Sequence, residues 1–182
     1  MVDIAKFKPG TVYVTYIATT PEQVWQALTD GAFSQQYFFG FRVEVEPRQG
    51  GAFRLLYPDG RVHAHGEVAV WDPPRRFAST WTIEGMGEFG ELPECLVTYD
   101  IDPSGESVKV TMTEGHSWDI PDAILAGGRS GWPAVMSSLK SVLETGKPLS
   151  IANEGPPPGM VEAVKRAVAE KPWLKSATAG SR

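Results

Sequence analysis

The chain is poor in the residues that announce chemistry most directly. It has one cysteine, Cys95, in 182 residues, so no disulfide can close within it. That suits a reducing compartment, and a cytoplasmic protein is expected. Positive charge is scarce too: 17 lysines and arginines stand against 22 acidic residues, which leaves no basic footprint for nucleic acid. No apolar run approaches the roughly 20 residues that span a bilayer. The opening stretch from Met1 to Pro9 lacks the continuous apolar core of a secretory signal. A soluble protein with neither a nucleic-acid nor a membrane partner is expected. Gly127-Gly128-Arg129-Ser130-Gly131 is glycine-rich but lacks the Gly-x-x-x-x-Gly-Lys spacing of a phosphate loop and follows no parallel strand. It reads as a break in a helix.

Two amphipathic segments bracket what remains. Thr20 is a plausible N-cap, Pro21 fits the first helical position and Gln23 completes a capping box, ahead of a buried stripe of Val24, Trp25 and Leu28. Late in the chain, Trp132, Val135, Met136, Leu139, Val142 and Leu143 share one helical face. Gly146 can end that helix in a left-handed cap. Asp122 to Leu125 reads as its upstream start, with Gly127-Gly128 and Pro133 breaking or kinking it.

Between the brackets the pattern is strand after strand. Residues 11–17 form a first strand, 33–39 add a helical turn or two, and 41–46, 53–57, 61–71, 77–83, 95–101 and 108–112 follow. Pro58-Asp59-Gly60, Asp72-Pro73-Pro74 and Asp102-Pro103-Ser104-Gly105 supply the turns. Residues 85–90, with three glycines, read as a mobile hairpin tip. Close spacing and short turns predict an antiparallel meander, so the fold class is α+β with a groove between the sheet and the long helix. Residues 1–148 are expected to form the domain. The 149–182 segment reads as a proline-rich linker, a short helix on Met160, Val161, Val164 and Val168 that docks on the domain or a neighbour, and a disordered end beyond Trp173-Leu174.

These elements carry a resemblance. Thr20-Pro21-Glu22-Gln23-Val24-Trp25-Gln26-Ala27-Leu28-Thr29-Asp30, Gly50-Gly51-Ala52-Phe53, Gly66-Glu67-Val68, Asp72-Pro73-Pro74-Arg75-Arg76-Phe77, Thr80-Trp81 and Gly131-Trp132 leading into Leu139 stand in the order found in the helix-grip fold. The chain resembles the START-like (SRPBCC) superfamily, in the branch named after the activator of the heat-shock-protein-90 ATPase, over residues 11–146. Tyr37-Phe38-Phe39 departs from the tryptophan-rich turn common there, and Pro133 follows the Gly-Trp pair. The resemblance implies a cavity for a small hydrophobic ligand such as a lipid or polyketide. It does not carry over co-chaperone activity.

In that groove, Phe53, Leu55 and Tyr57, with Trp81 and Tyr99 on other strands, are expected to line the sheet side, and Phe38 the rim. Trp132, Met136 and Leu139 would close the helix side. Arg54, His63 and Tyr57 are the polar candidates to orient a ligand, and His65 joins the ligand-binding set. His63, His65 and Glu67 alternate along one strand, so all three can share one face, where His-x-His-x-Glu suits a metal with His116 outside, a polar lining of the ligand cavity, or a solvated surface. His63, His65, Glu67 and Arg54 are also the acid–base candidates for a cyclase or dehydratase. Cys95 reads as a small core residue, and the run His116-Ser117-Trp118-Asp119 holds triad residue types without triad geometry. No catalytic residue, cofactor or metal is therefore assigned. The function expected is non-catalytic ligand binding, against an enzyme using the groove or a chaperone-related interaction module. A homodimer is an open partner expectation.

Overall fold

In a computed structural model, residues 1–152 and 154–174 are described. Strand β1 (Lys8–Ile17) leads into α1 (Pro21–Thr29) and α2 (Gly31–Tyr37). Six strands follow: β2 (Arg42–Val45), β3 (Ala52–Leu56), β4 (Val62–Asp72), β5 (Arg76–Ile83), β6 (Cys95–Ser104) and β7 (Ser107–His116). Helices α3 (Asp122–Thr145) and α4 (Met160–Glu170) complete the order. The seven strands form one antiparallel sheet in the order β1-β7-β6-β5-β4-β3-β2, so β1 crosses the chain to pair with β7 and the rest is a meander. The α+β architecture expected from the strand and helix periods is observed, and so is the helix-grip arrangement that the resemblance implies. No helix is long and apolar enough to cross a membrane among the described residues.

Local chemistry explains the helix ends. The Thr20 side chain accepts the Gln23 backbone N–H at 3.3 Å, but Gln23 answers by accepting the Thr19 hydroxyl at 2.5 Å, so only half of the capping box forms. Gly146 closes α3 with φ 74°, the left-handed cap that a Cβ would disfavour.

Two readings change, and the docking of the terminal helix is narrowed to one of its two alternatives. Helix α3 runs unbroken for 24 residues through Gly127-Gly128 and Pro133. The glycines serve packing instead: a Cβ on Gly128 would stand 2.7 Å from Glu114 Oε2, and one on Gly127 would collide with Met160. The segment expected as a mobile tip contains a 3₁₀ turn (Gly87–Glu91), which puts Phe89 and Leu92 into a small apolar cluster with Trp118, Ile124, Val164 and Ala167. Helix α4 belongs to that cluster, so it docks back on its own domain. The expected disorder beyond Leu174 lies outside the described residues.

The main core lies between the concave face of the sheet and the C-terminal half of α3, where Met136 and Leu139 are fully buried. Glu144 accepts the Ala18 N–H at 2.8 Å and Lys140 donates to the Tyr16 carbonyl, which pins that half to the end of β1.

Candidate functional site

Beside its first half, which carries less side-chain volume than its second, helix α3 borders a cavity. Its second half fills the grip with Val135, Met136, Leu139 and Val142. Its first half carries Gly127 and Gly128, on which Met160 and Glu114 pack, and Gly131, where a Cβ would meet nothing within 4 Å. The unfilled volume is about 410 Å³, within the range that holds small-molecule ligands. Trp81 and Ile83 of β5, Cys95 and Val97 of β6, and Trp132 of α3 form its walls. The 3₁₀ turn, Trp118 and Met160 close one end, and Phe38, Phe41 and His63 stand at the other. Exposed Phe39 and Met86 mark the rim.

Of the residues read from the sequence as ligand-binding, Phe38, His63, Trp81 and Trp132 line this space. The other eight do not. Phe53, Leu55, Tyr99, Met136 and Leu139 are buried in the solid core. Tyr57 stands one step back, its hydroxyl 3.0 Å from His63 Nδ1. Arg54 and His65 are register partners on the outer side of β3 and β4, because Phe53 and Leu55 take the inward positions and strand side chains alternate. His65 pairs there with Glu84 at 2.6 Å.

The His63-His65-Glu67 alternation is also broken. The β3–β4 register shifts between Leu55 and Leu56, which leaves His63 as the extra residue of a bulge. It turns into the aromatic contacts of Phe41 and Tyr57, with ring centroids 4.8 and 5.0 Å away, while His65 stays outside. His63 therefore leaves the face that His65 and Glu67 share, and no group of three metal-capable side chains occurs among the described residues.

Burial lowers the His63 imidazole below its ordinary pKa. As pH falls, the unfolded chain takes up this proton first, so the residue's contribution is complete above about pH 6.5 and is lost below it. Replacing His63 with phenylalanine is expected to flatten the fall in melting temperature below about pH 6.5. Parallel melting curves for the two proteins would refute that assignment.

Sequence reasoning missed the polar end of the cavity. On β7, Glu114 Oε1 accepts from His116 Nε2 at 2.9 Å and Oε2 accepts from Trp132 Nε1 at 2.5 Å. His116 therefore engages Glu114 and not Ser117. The signal was present: Val108, Val110 and Met112 alternate inward, and the same step continued reaches Glu114 and His116. Cys95 is the register partner of His116. Burial first, then the charge of Glu114, pushes its thiol pKa up, so it is held protonated and not as a nucleophilic thiolate.

Several solved structures share this architecture. CalU16 from Micromonospora echinospora, in solution, is 20% identical with a TM-score of 0.62, covering 91% of this chain and 86% of that one. DynU16, a protein of the dynemicin biosynthetic locus, is 24% identical with a TM-score of 0.62 over 76% of this chain and 48% of its own. The Aha1 dimer from Colwellia psychrerythraea is 16% identical with a TM-score of 0.58, covering 75% of this chain and 96% of that one. At these identities the likeness is one of fold. No curated protein matches the chain in sequence. The model of one family does match it, over residues 18–144, from the end of β1 to the last turn of α3, a span that holds the grip and every cavity wall except Met160. With most of its length inside that match, the chain belongs to the family of activator of Hsp90 ATPase homolog 1-like proteins.

Proposed function

We propose that this protein binds a small, largely apolar molecule in the cavity between the sheet and α3, and carries or senses it without transforming it. The observation behind this reading is the cavity of about 410 Å³ itself, walled by aromatic and aliphatic side chains with few polar groups. Removing apolar surface from water supplies the driving force, and a few polar groups set orientation. Phe38, Trp81 and Trp132 would contact the ligand, and His63 would meet it at one end. Residues 1–148 would be the binding domain, working in the cytoplasm, and the segment after Pro148 would add the helix that closes the cavity. Of the sequence-derived acid–base candidates, only His63 lines the cavity, which weighs against catalysis on the β4 strand.

Native mass spectrometry, before and after gentle denaturation, tests this directly. A co-purifying small molecule is expected on the wild-type chain. It should be missing from Gly131→Phe, which fills open space and favours the helix where glycine did not. A wild-type chain that carries nothing and takes up no apolar probe would overturn the reading and favour an interaction module, a chaperone among its partners. The same spectrum reports the number of chains. Val12, Val14 and Tyr16 are exposed on the outer face of edge strand β1, and they favour a two-chain mass in which that face is covered by a second copy.

A further inference from the structure

We propose that Glu114 and His116 form a hydroxyl-recognition site in which His116 Nδ1 accepts the O–H proton of a flat phenolic or enolic ligand. The inference rests on the cavity being a ligand site, and it names the chemistry of that ligand.

The argument starts from the carboxylate. Its two oxygens are engaged, Oε1 by His116 Nε2 and Oε2 by Trp132 Nε1. An imidazole that gives its Nε2–H to a carboxylate keeps a lone pair on Nδ1, and the carboxylate supports any proton that nitrogen acquires. The ring is also oriented. Its Cδ2 edge lies against β1, 3.1 Å from where a Cβ on Gly10 would sit, so the Nδ1 edge faces the opposite side, toward β6. Cys95 stands there in register, and both residues line the cavity. No described residue hydrogen-bonds Nδ1. A base is thus held, with its tautomer set, in the wall of an apolar space.

The surroundings select the ligand. A carboxylate would meet the charge of Glu114, and a cationic amine would have to share carboxylate oxygens that already hold one donor each. Cys95 and Tyr99 on β6 are kept protonated by burial first, with the charge of Glu114 adding to it. Lys8, the register partner of His116 on β1, is exposed and pairs with Asp119 at 3.9 Å. Among donors, an acidic hydroxyl makes the strongest bond to imidazole, whether the proton stays on oxygen or moves to Nδ1. The indoles of Trp81, Trp118 and Trp132 favour a flat aromatic or conjugated body behind that hydroxyl.

Two probes separate this inference from the reading beneath it: 2-naphthol, and 2-methylnaphthalene, which replaces the hydroxyl with a methyl. Both are titrated by quenching of tryptophan fluorescence and are expected to bind the wild type. His116→Phe is expected to weaken 2-naphthol about tenfold or more while 2-methylnaphthalene stays within about twofold. Glu114→Gln keeps a partner for Trp132 but donates to His116 Nε2, which moves the ring hydrogen to Nδ1 and removes the acceptor. Glu114 acts only through His116, so the spectroscopic signature matters. The absorption band of bound 2-naphthol should lie to the red of its position in an apolar solvent, and the shift should vanish in both variants. Loss of both probes in parallel, or 2-naphthol binding unchanged in the folded Glu114→Gln protein, would overturn the recognition site and leave the cavity reading intact. A wild type that binds neither probe removes both.

Discussion

Trp132→Ala should cost this protein about 4 kcal/mol of stability, the upper part of the range for removing a large aromatic from a core. The residue joins otherwise separate parts. Its ring meets Phe38 at 6.0 Å, Trp81 at 5.7 Å and Tyr99 at 6.4 Å between centroids, so one side chain couples the C-cap of α2, β5 and β6 to α3. Its indole N–H also holds Glu114 Oε2. Alanine removes the packing and leaves a largely buried carboxylate one donor short. Trp132→Phe separates the two effects: it keeps most of the ring and should lose only about 1–3 kcal/mol, the cost of a charged acceptor losing a partner. For a domain of this size the alanine variant should melt roughly 8–16 °C lower. Urea unfolding of both variants decides the matter. Equal losses would mean that the hydrogen bond, and not ring packing, carries the effect.

Gly66→Ala should be nearly as damaging although it adds a single methyl. A Cβ at Gly66 would fall inside the van der Waals radius of the Thr80 carbonyl oxygen, a backbone atom in the neighbouring strand. Thr80 also accepts the Glu67 N–H with its hydroxyl at 3.0 Å, so the two strands are tied at that point. Phe53, in register with Gly66, meets Trp81 with ring centroids 5.1 Å apart. A methyl would have to part β4 from β5 beneath that aromatic contact. Overpacking of this kind costs about 1–3 kcal/mol where side chains can yield, and a rigid backbone partner pushes it to the top of that range or above. A loss below about 1 kcal/mol would show that the strands separate at this point more freely than their pairing implies.

The elements were legible because their signals are local. Proline and glycine at 58–60, the alternation through Val108, Val110 and Met112, and the 3.6-residue spacing from Trp132 to Leu143 each report which way successive side chains point. Failures came where a distant contact overrode the local rule. Gly127-Gly128 looked like a helix break because glycine weakens a helix, yet Glu114 and Met160 pack against α3 there. His63 was expected on the same face as His65 because period two was carried through a bulge that only pairing with β3 reveals. Arg54 does not orient a ligand in the cavity, because its neighbours Phe53 and Leu55 claim the inward face.

The candidate site was legible only in part, and volume explains why. Phe38, Trp81 and Trp132 could be named because large aromatics on inward faces sit near any cavity in such a fold. Phe53, Tyr99, Met136 and Leu139 are the same kind of residue, but they fill space where α3 carries bulk and not glycine.

By itself, then, the sequence determined the elements, their order, the antiparallel sheet and the family, since period, turn chemistry and motif order are properties of neighbouring residues. Tertiary structure alone decided where the grip stays unfilled, that Glu114 and His116 form its polar end, and that α4 packs back to set Met160 in its wall. A cavity is a shortfall of side-chain volume summed over five or six separated segments. No single segment carries that sum, so it becomes visible only when they are packed together.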